Sequence, residues 1–218
     1  MTVLIGLEFA NGVMIVADKK TSNLSHSGEN LGTYTLNEKV NVIHENLIMG
    51  TAGLGIGNDL RGLIRNTLYQ RANLPIKEVN QHINDIMSYS YNLFKKVNTH
   101  VSYNDLLAFV GGYSKEEKKA FLYRFSSLND FKPMPANKPW IIASPNDKTT
   151  DIIDNYISAR VHQKGSIKEI VELLAESIRK VDSPSVSKET FGIVLFYEET
   201  EDTFSSERYE FDDKGKRI

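Results

Sequence analysis

Three residues whose types do chemistry together lie within the first 39 positions: Thr2, Asp18 and Lys39. A threonine hydroxyl is a weak nucleophile until a base takes its proton. A free α-amine on the same residue has a reference pKa of about 7.7–8.0, which suits general-base work near neutrality. Removal of Met1 would leave that amine on Thr2. A lysine ammonium close by favours the deprotonated hydroxyl and lowers the pKa of the amine, and an aspartate would hold the ammonium charged and aimed. Taken singly, each residue also has a structural explanation: a strand-start threonine, a strand-end acid, and a lysine opening the next strand.

The elements around them decide whether they meet. Val3, Ile5, Leu7 and Phe9 alternate with smaller or polar neighbours, the period of a half-buried strand. Asn11-Gly12 between two apolar runs is a hairpin signal. The second strand, Val13 to Ala17, is nearly all apolar, as expected when both faces are covered, and it ends at Asp18. Such a hairpin returns Asp18 beside Thr2. A third strand starting at Lys39 is expected to lie alongside, giving a threonine–lysine–aspartate cluster at the sheet end where the chain begins. Most termini are loose; a terminus tied to a core strand makes sense if it is itself the catalytic group.

Further on, the polar stretch "TSNLSHSGENLGT" reads as a surface loop, and "KVNVIHENLIMGTAG" as a second hairpin turning near Glu45-Asn46. Helical spacing follows in "NDLRGLIRNTLYQRA" and in "LPIKEVNQHINDIMSYSYNLFKKVN", the latter with Pro75 at its start. Strands return at "DLLAFVGGY", "KAFLYRFSS" and "PWIIAS". Two more amphipathic helices cover "DIIDNYISARV" and "SIKEIVELLAESIRKV", and strands close the chain at "TFGIVLFYE" and "SERYEF". Strict βαβα alternation is missing, which argues against a doubly wound parallel sheet. The order predicts an α+β fold in one domain spanning residues 1–218. Two antiparallel sheets would pack face to face, each covered outside by a helix pair, as a four-layer αββα sandwich.

Composition removes other classes of function. A net charge of −2 over 218 residues leaves no electrostatic footprint for nucleic acid or an anionic membrane. With no cysteine, disulfides, thiolate metal sites and thiol catalysis are excluded. No apolar run approaches the roughly 20 residues of a membrane span, and the opening lacks the basic start and cleavage site of a signal peptide. A cytoplasmic protein is expected. Gly53, Gly55 and Gly57 in "GTAGLGIG" lack the spacing of a dinucleotide fingerprint, and no Gly-Lys-Ser/Thr follows. They read instead as a strand-to-helix turn with a close backbone approach. His26, His44, His82, His100 and His162 are scattered without metal-ligand spacing, and no Gly-x-Ser-x-Gly elbow is present. The aromatics sit at core spacing rather than as a stacking platform for bases.

The segment "TVLIGLEFANGVMIVADKKTS" resembles the opening of proteasome β-type subunits, the threonine peptidases of the N-terminal nucleophile hydrolase superfamily. There a Thr-led strand, a Gly hairpin and an "AAD-x-R-x-T" segment follow one another in register. The resemblance puts Thr2 at the nucleophile, Asp18 at the acidic member and Lys39 at the lysine of the family's triad. Lys39 and Gly53 lie fourteen positions apart, as in that pattern, so Gly53 matches the residue whose N–H stabilises the oxyanion.

More loosely, Ser144 in "IIASPND" matches the auxiliary serine, though the usual Gly-Ser-Gly is here Ala-Ser-Pro. Asp182 and Ser185 in "VDSPS" match the acid and second serine that orient the N-terminus, with "VSKETFG" replacing the usual glycine-rich continuation. Ser22 matches a position whose backbone pairs with the substrate strand. Thr51 and Gly55 fall where the first specificity pocket is lined, and their small size implies a roomy one. The loop from Asn23 to Thr33 is about five residues longer than the family's, counted from the Asp-to-Lys interval. Only Met1 precedes Thr2, as in the bacterial HslV-type peptidases, and the additional N-terminal helix of α-type subunits is missing.

The resemblance implies a peptide or unfolded-protein substrate, homo-oligomeric rings enclosing the sites, an AAA+ unfoldase ATPase as feeding partner, and neither a metal nor an organic cofactor. Two alternatives remain open at this point. One is a catalytically silent ring subunit that retains Met1. The other is a non-peptidase amide hydrolase of the same superfamily.

Overall fold

The computed structural model describes residues 2–24, 30–69, 75–99 and 105–218. Met1, His26, His100 and the middle of the long loop from Asn23 to Thr33 lie outside them. The fold is mixed α/β, with four α-helices and three antiparallel sheets among the described residues.

Six strands come first: β1 (Leu4–Phe9), β2 (Gly12–Asp18), β3 (Lys20–Leu24), β4 (Asn30–Leu36), β5 (Val40–His44) and β6 (Leu47–Gly53). Helices α1 (Gly57–Leu68) and α2 (Ile76–Val97) follow, then β7 (Leu106–Ser114), β8 (Lys119–Ser126), the two-residue β9 (Met134–Pro135) and β10 (Trp140–Ala143). Helices α3 (Asp147–Ser158) and α4 (Ile167–Arg179) and strands β11 (Thr190–Glu198) and β12 (Thr203–Phe211) complete the chain. One five-stranded sheet has the order β10-β1-β2-β11-β12, and the other β5-β6-β7-β8-β9.

Two local expectations are corrected. The stretch expected as a loop after Asp18 forms the two-stranded sheet β3–β4, in register Thr21 to Thr35 and Ser22 to Tyr34. Its outer strand is exposed from Gly32 to Leu36, so it carries no apolar alternation, the signal by which a half-buried strand is read. Helix α3 begins four residues before Asp151. Asn146 caps it by accepting the Thr149 N–H at 2.9 Å, a start set by capping rather than by the apolar stripe.

Buried apolar residues fall into three clusters. Leu60 and Ile64 of α1 and Ile83 and Met87 of α2 pack with Met49, Ala108, Val110 and Phe125 of the second five-stranded sheet. Ile153, Ile157, Leu174 and Ile178 of α3 and α4 pack with Val3, Ile5, Met14, Val16 and Val194 around the first. A third cluster joins Leu4, Val13, Ile15 and Ile193 of the first sheet to Val40, Ile48, Phe109 and Leu122 of the second. Alternation along β1 and β2 therefore feeds two apolar surroundings at once, which is why β2 reads as a continuous apolar run. Each fully buried Leu, Ile or Phe contributes about 1.5–3 kcal/mol, and their positions fix which end of each strand faces which neighbour. Gly50 lets the two sheets approach, since a Cβ there would meet Leu4 and Ile15 at 2.7 and 2.9 Å. No described helix is long and apolar enough to cross a membrane.

Candidate active site

The β1–β2 hairpin pairs Leu4 with Ala17, and one residue further out Val3 and Asp18 bond reciprocally. The Val3 N–H donates to Asp18 Oδ1 at 2.8 Å, and the Asp18 N–H donates to the Val3 carbonyl at 3.2 Å. Thr2 is thereby held at the mouth of the sheet beside Asp18, through a turn at Ala10-Asn11 rather than the expected Asn11-Gly12, which would have set Asp18 opposite Ile5.

Lys39 arrives by a different route from the expected one. The strand it opens does not lie alongside β1 or β2, whose neighbours are β10 and β11. It belongs to the other five-stranded sheet. The reason is apolar: Val40 packs into the cluster with Leu4 and Ile15, so β5 stacks over the first sheet instead of extending it. From there the Lys39 ammonium reaches Asp18 Oδ1 at 3.1 Å, with both side chains shut off from solvent, and it also donates to the Lys20 carbonyl.

Asp18 is surrounded by donors. Oδ1 accepts from Val3 and Lys39, while Oδ2 accepts from the N–H of Lys20 at 3.0 Å and of Ser187 at 3.3 Å. Four donors leave no acceptor for a carboxyl proton, so the group is a carboxylate. Burial pushes its pKa up, and Lys39 with the main-chain donors opposes that shift. Burial likewise lowers the pKa of Lys39 against the pull of Asp18. The ammonium here gives up its proton more readily than an ordinary lysine does.

Arg61, buried on α1, secures the other end of Lys39. It donates to the carbonyls of Lys39 at 3.1 Å and Glu38 at 2.9 Å, to Asn58 Oδ1 at 2.7 Å and to the Thr51 hydroxyl. Burial lowers its pKa to about 10, so it is charged at neutral pH.

Half-buried Thr2 lines a cavity of about 170 Å³ together with Gly53, Ser144 and Arg124. Gly53 closes β6 at φ +98°. A Cβ there would sit 2.1 Å from the Asp105 carbonyl oxygen, so only glycine fits, and it leaves exposed main chain at the cavity. The Ser144 hydroxyl donates to the Asn146 carbonyl at 2.8 Å and pairs with Thr150 Oγ1 at 2.7 Å, which ties this wall to the start of α3.

Thr2, Gly53 and Ser144 thus line one cavity, and the Asp18–Lys39 pair is tied to the chain at Val3, the residue after Thr2. The remaining candidates are placed otherwise. Asp182 is exposed, and the hydroxyl of Ser185 pairs with Ser183 at 2.9 Å rather than with the acid. Thr51 is buried with its hydroxyl turned to Arg61, and Gly55 is exposed with open space around it. Ser22 lies on β3, paired to Tyr34.

Three contributors escape sequence reasoning. Arg61 falls at helical spacing with Gly57, Leu60 and Ile64, so an arginine on the apolar face was a readable signal. Arg124 follows Leu122 at period two, which was equally readable. Ser187 acts through its main chain and leaves no trace in residue type. Among the described residues no group of His, Asp and Glu could hold a metal ion. The chain matches no protein-family model and no curated protein.

Proposed function

We propose that this chain is a threonine-type endopeptidase of the N-terminal nucleophile kind, acting through Thr2 once whatever precedes it, Met1 included, has been removed. The observation that carries the reading is the shared Asp18 carboxylate: it grips both the Lys39 ammonium and the N–H of Val3, the residue that follows Thr2, and Thr2 itself lines a cavity. Thr2 Oγ attacks the scissile carbonyl carbon while its proton passes through a water to the α-amine of Thr2. The Gly53 N–H receives the oxyanion. Collapse of the tetrahedral adduct breaks the C–N bond, the departing amine takes the proton, and water hydrolyses the Thr2 ester to free the acid. Asp18 and Lys39 set the field in which the hydroxyl ionises.

The three apolar clusters support a finer fold reading, in which they are the successive interfaces of a four-layer αββα sandwich. The resemblance to proteasome β-type subunits extends the proposal to a cytoplasmic homo-oligomeric ring that receives unfolded chains from an ATPase. A second reading, a catalytically silent subunit of such a ring, is favoured by one observation: Asp182 and Ser185, the pair that would orient the terminus, do not meet.

One experiment separates the two. Protein purified from its native host is weighed intact and assayed with fluorogenic peptides beside a Thr2→Ala variant. Loss of Met1 with turnover abolished by Thr2→Ala supports the peptidase. Retained methionine in every molecule, or turnover untouched by Thr2→Ala, rejects it.

A further inference from the structure

Among the described residues the guanidinium of Arg124 makes no hydrogen bond and no ion pair, although its Nε is closed off from solvent. The pleat says where it points. Tyr123 and Phe125 of β8 pack in the cluster with α1 and α2, whereas Leu122 packs between the two five-stranded sheets with Leu4 and Phe109. Arg124 alternates with the former and so shares the side of Leu122. There it reaches the wall of the cavity that holds Thr2, Gly53 and Ser144.

A guanidinium keeps its charge at every physiological pH, and a half-buried charge without a counter-ion is costly. The cost is relieved when an anion arrives, and the planar fork matches a carboxylate in two parallel hydrogen bonds. Asp105 is the one acid among the described residues of the lining. It is exposed and makes no ion pair with Arg124. Leu107, Leu128 and Ala143 supply apolar wall around the cation. The volume, about 170 Å³, falls below the roughly 300–1,000 Å³ of sites that enclose a whole small molecule. It suits one substituent of a larger substrate.

We infer that Arg124 makes this cavity a carboxylate-binding subsite adjoining Thr2, which places a substrate peptide with an anionic group next to the attacked bond. Its use in hydrolysis rests on Thr2 being the nucleophile; its binding does not. The carboxylate comes from an Asp or Glu side chain or from the α-carboxylate of a chain end.

The first measurement is equilibrium binding of labelled peptides to full-length Thr2→Ala protein by fluorescence anisotropy. The set holds a Glu peptide, its Gln counterpart and its Lys counterpart, each as free acid and as C-terminal amide. The Glu peptide is expected to bind at least about tenfold more tightly than the Gln peptide at low salt. Arg124→Met, which keeps the aliphatic stem and breaks no hydrogen bond, removes that difference. Arg124→Glu turns the preference toward Lys. Arg124→Lys retains part of it, so the test stands even if the Met variant fails to fold. A preference that follows the free acid instead of Glu assigns the subsite to chain ends. Equal binding across the set, or a preference that survives Arg124→Met, overturns the inference.

The second measurement is the ratio of kcat/KM for Glu and Gln peptides, expected to shift through KM. Arg124-dependent binding without cleavage of any peptide keeps the subsite and rejects the peptidase. Thr2-dependent cleavage with no Arg124-dependent preference keeps the peptidase and rejects the subsite.

Discussion

The carbonyl oxygen of Lys39 accepts a hydrogen bond from Arg61 at 3.1 Å, while the ammonium of the same lysine pairs with Asp18 at 3.1 Å. One residue is gripped at its two ends by a helix from one side and a sheet from the other. Neither grip alone fixes the ammonium: four rotatable bonds separate Nζ from the main chain, so the backbone must also be held.

Arg61→Met removes that hold. It strips the Lys39 and Glu38 carbonyls, the Thr51 hydroxyl and Asn58 of their shared donor. The Lys39 carbonyl keeps the Thr51 N–H at 3.0 Å, and Glu38 and Asn58 are exposed, so the Thr51 hydroxyl is the buried group that loses its partner. A net loss of about 1–3 kcal/mol is expected in urea unfolding. In conditions where the variant is fully folded, kcat/KM should still fall about tenfold, because the Lys39 backbone is then held by the Thr51 N–H without the fork that also fixed Glu38. Arg61→Lys restores part of the stability without the fork that binds several acceptors at once. Wild-type turnover by folded Arg61→Met would reduce Arg61 to a purely structural residue.

Much of this arrangement was legible in residue order. The hairpin and the alternation from Val3 to Phe9 were legible, but the register was not: the turn closes at Ala10-Asn11 with Phe9 opposite Gly12, whereas a two-residue turn at Asn11-Gly12 would have set Asp18 opposite Ile5. The partner of Lys39 was legible, but its route was not. A strand's sheet is chosen by long-range burial, here of Val40 against Leu4 and Ile15, and a single sequence does not rank such pairings. The β3–β4 sheet was hidden for the opposite reason: from Gly32 to Leu36 the residues of β4 are exposed and imprint no apolar period. Asp182 and Ser185 show the limit of motif spacing. The right separation along the chain did not make their side chains meet, since the turn between them directs Ser185 to Ser183.

The lowered pKa of Lys39 sets the alkaline side of the activity profile. Burial, the largest cause, moves it below the ordinary lysine value of 10.5. If the ammonium is needed to favour the ionised Thr2 hydroxyl, kcat/KM should decline with a midpoint below 10.5. Stability should move the other way over the same window. Between the folded-state pKa and the unfolded one the unfolded chain binds more protons, so the contribution of this group to unfolding free energy rises with pH. A rate falling while urea midpoints hold or climb would separate loss of the ammonium from loss of the fold. An alkaline limb at or above 10.5, or one unchanged in Lys39→Ala, contradicts the assignment.

Gly53 gives the sharpest test of the oxyanion role, because two independent constraints fix the residue type. Its φ of +98° lies where L side chains rarely go, and a Cβ would approach the Asp105 carbonyl oxygen to 2.1 Å. That same oxygen accepts the Leu54 N–H at 3.0 Å, so relieving the clash disturbs the turn that follows β6. Gly53→Ala is expected to lose about 2 kcal/mol or more of stability. Where it folds, the displaced N–H should lower kcat by about 100- to 1,000-fold with little change in KM, since an oxyanion donor acts in the transition state rather than on the bound substrate. Gly62→Ala in the middle of α1 is the matching control. A Cβ there meets nothing within 4 Å, so the change should gain up to about 1 kcal/mol from helix propensity alone. A Gly53→Ala protein whose loss appears in KM and leaves kcat intact would assign this backbone to substrate docking and leave the oxyanion to another donor.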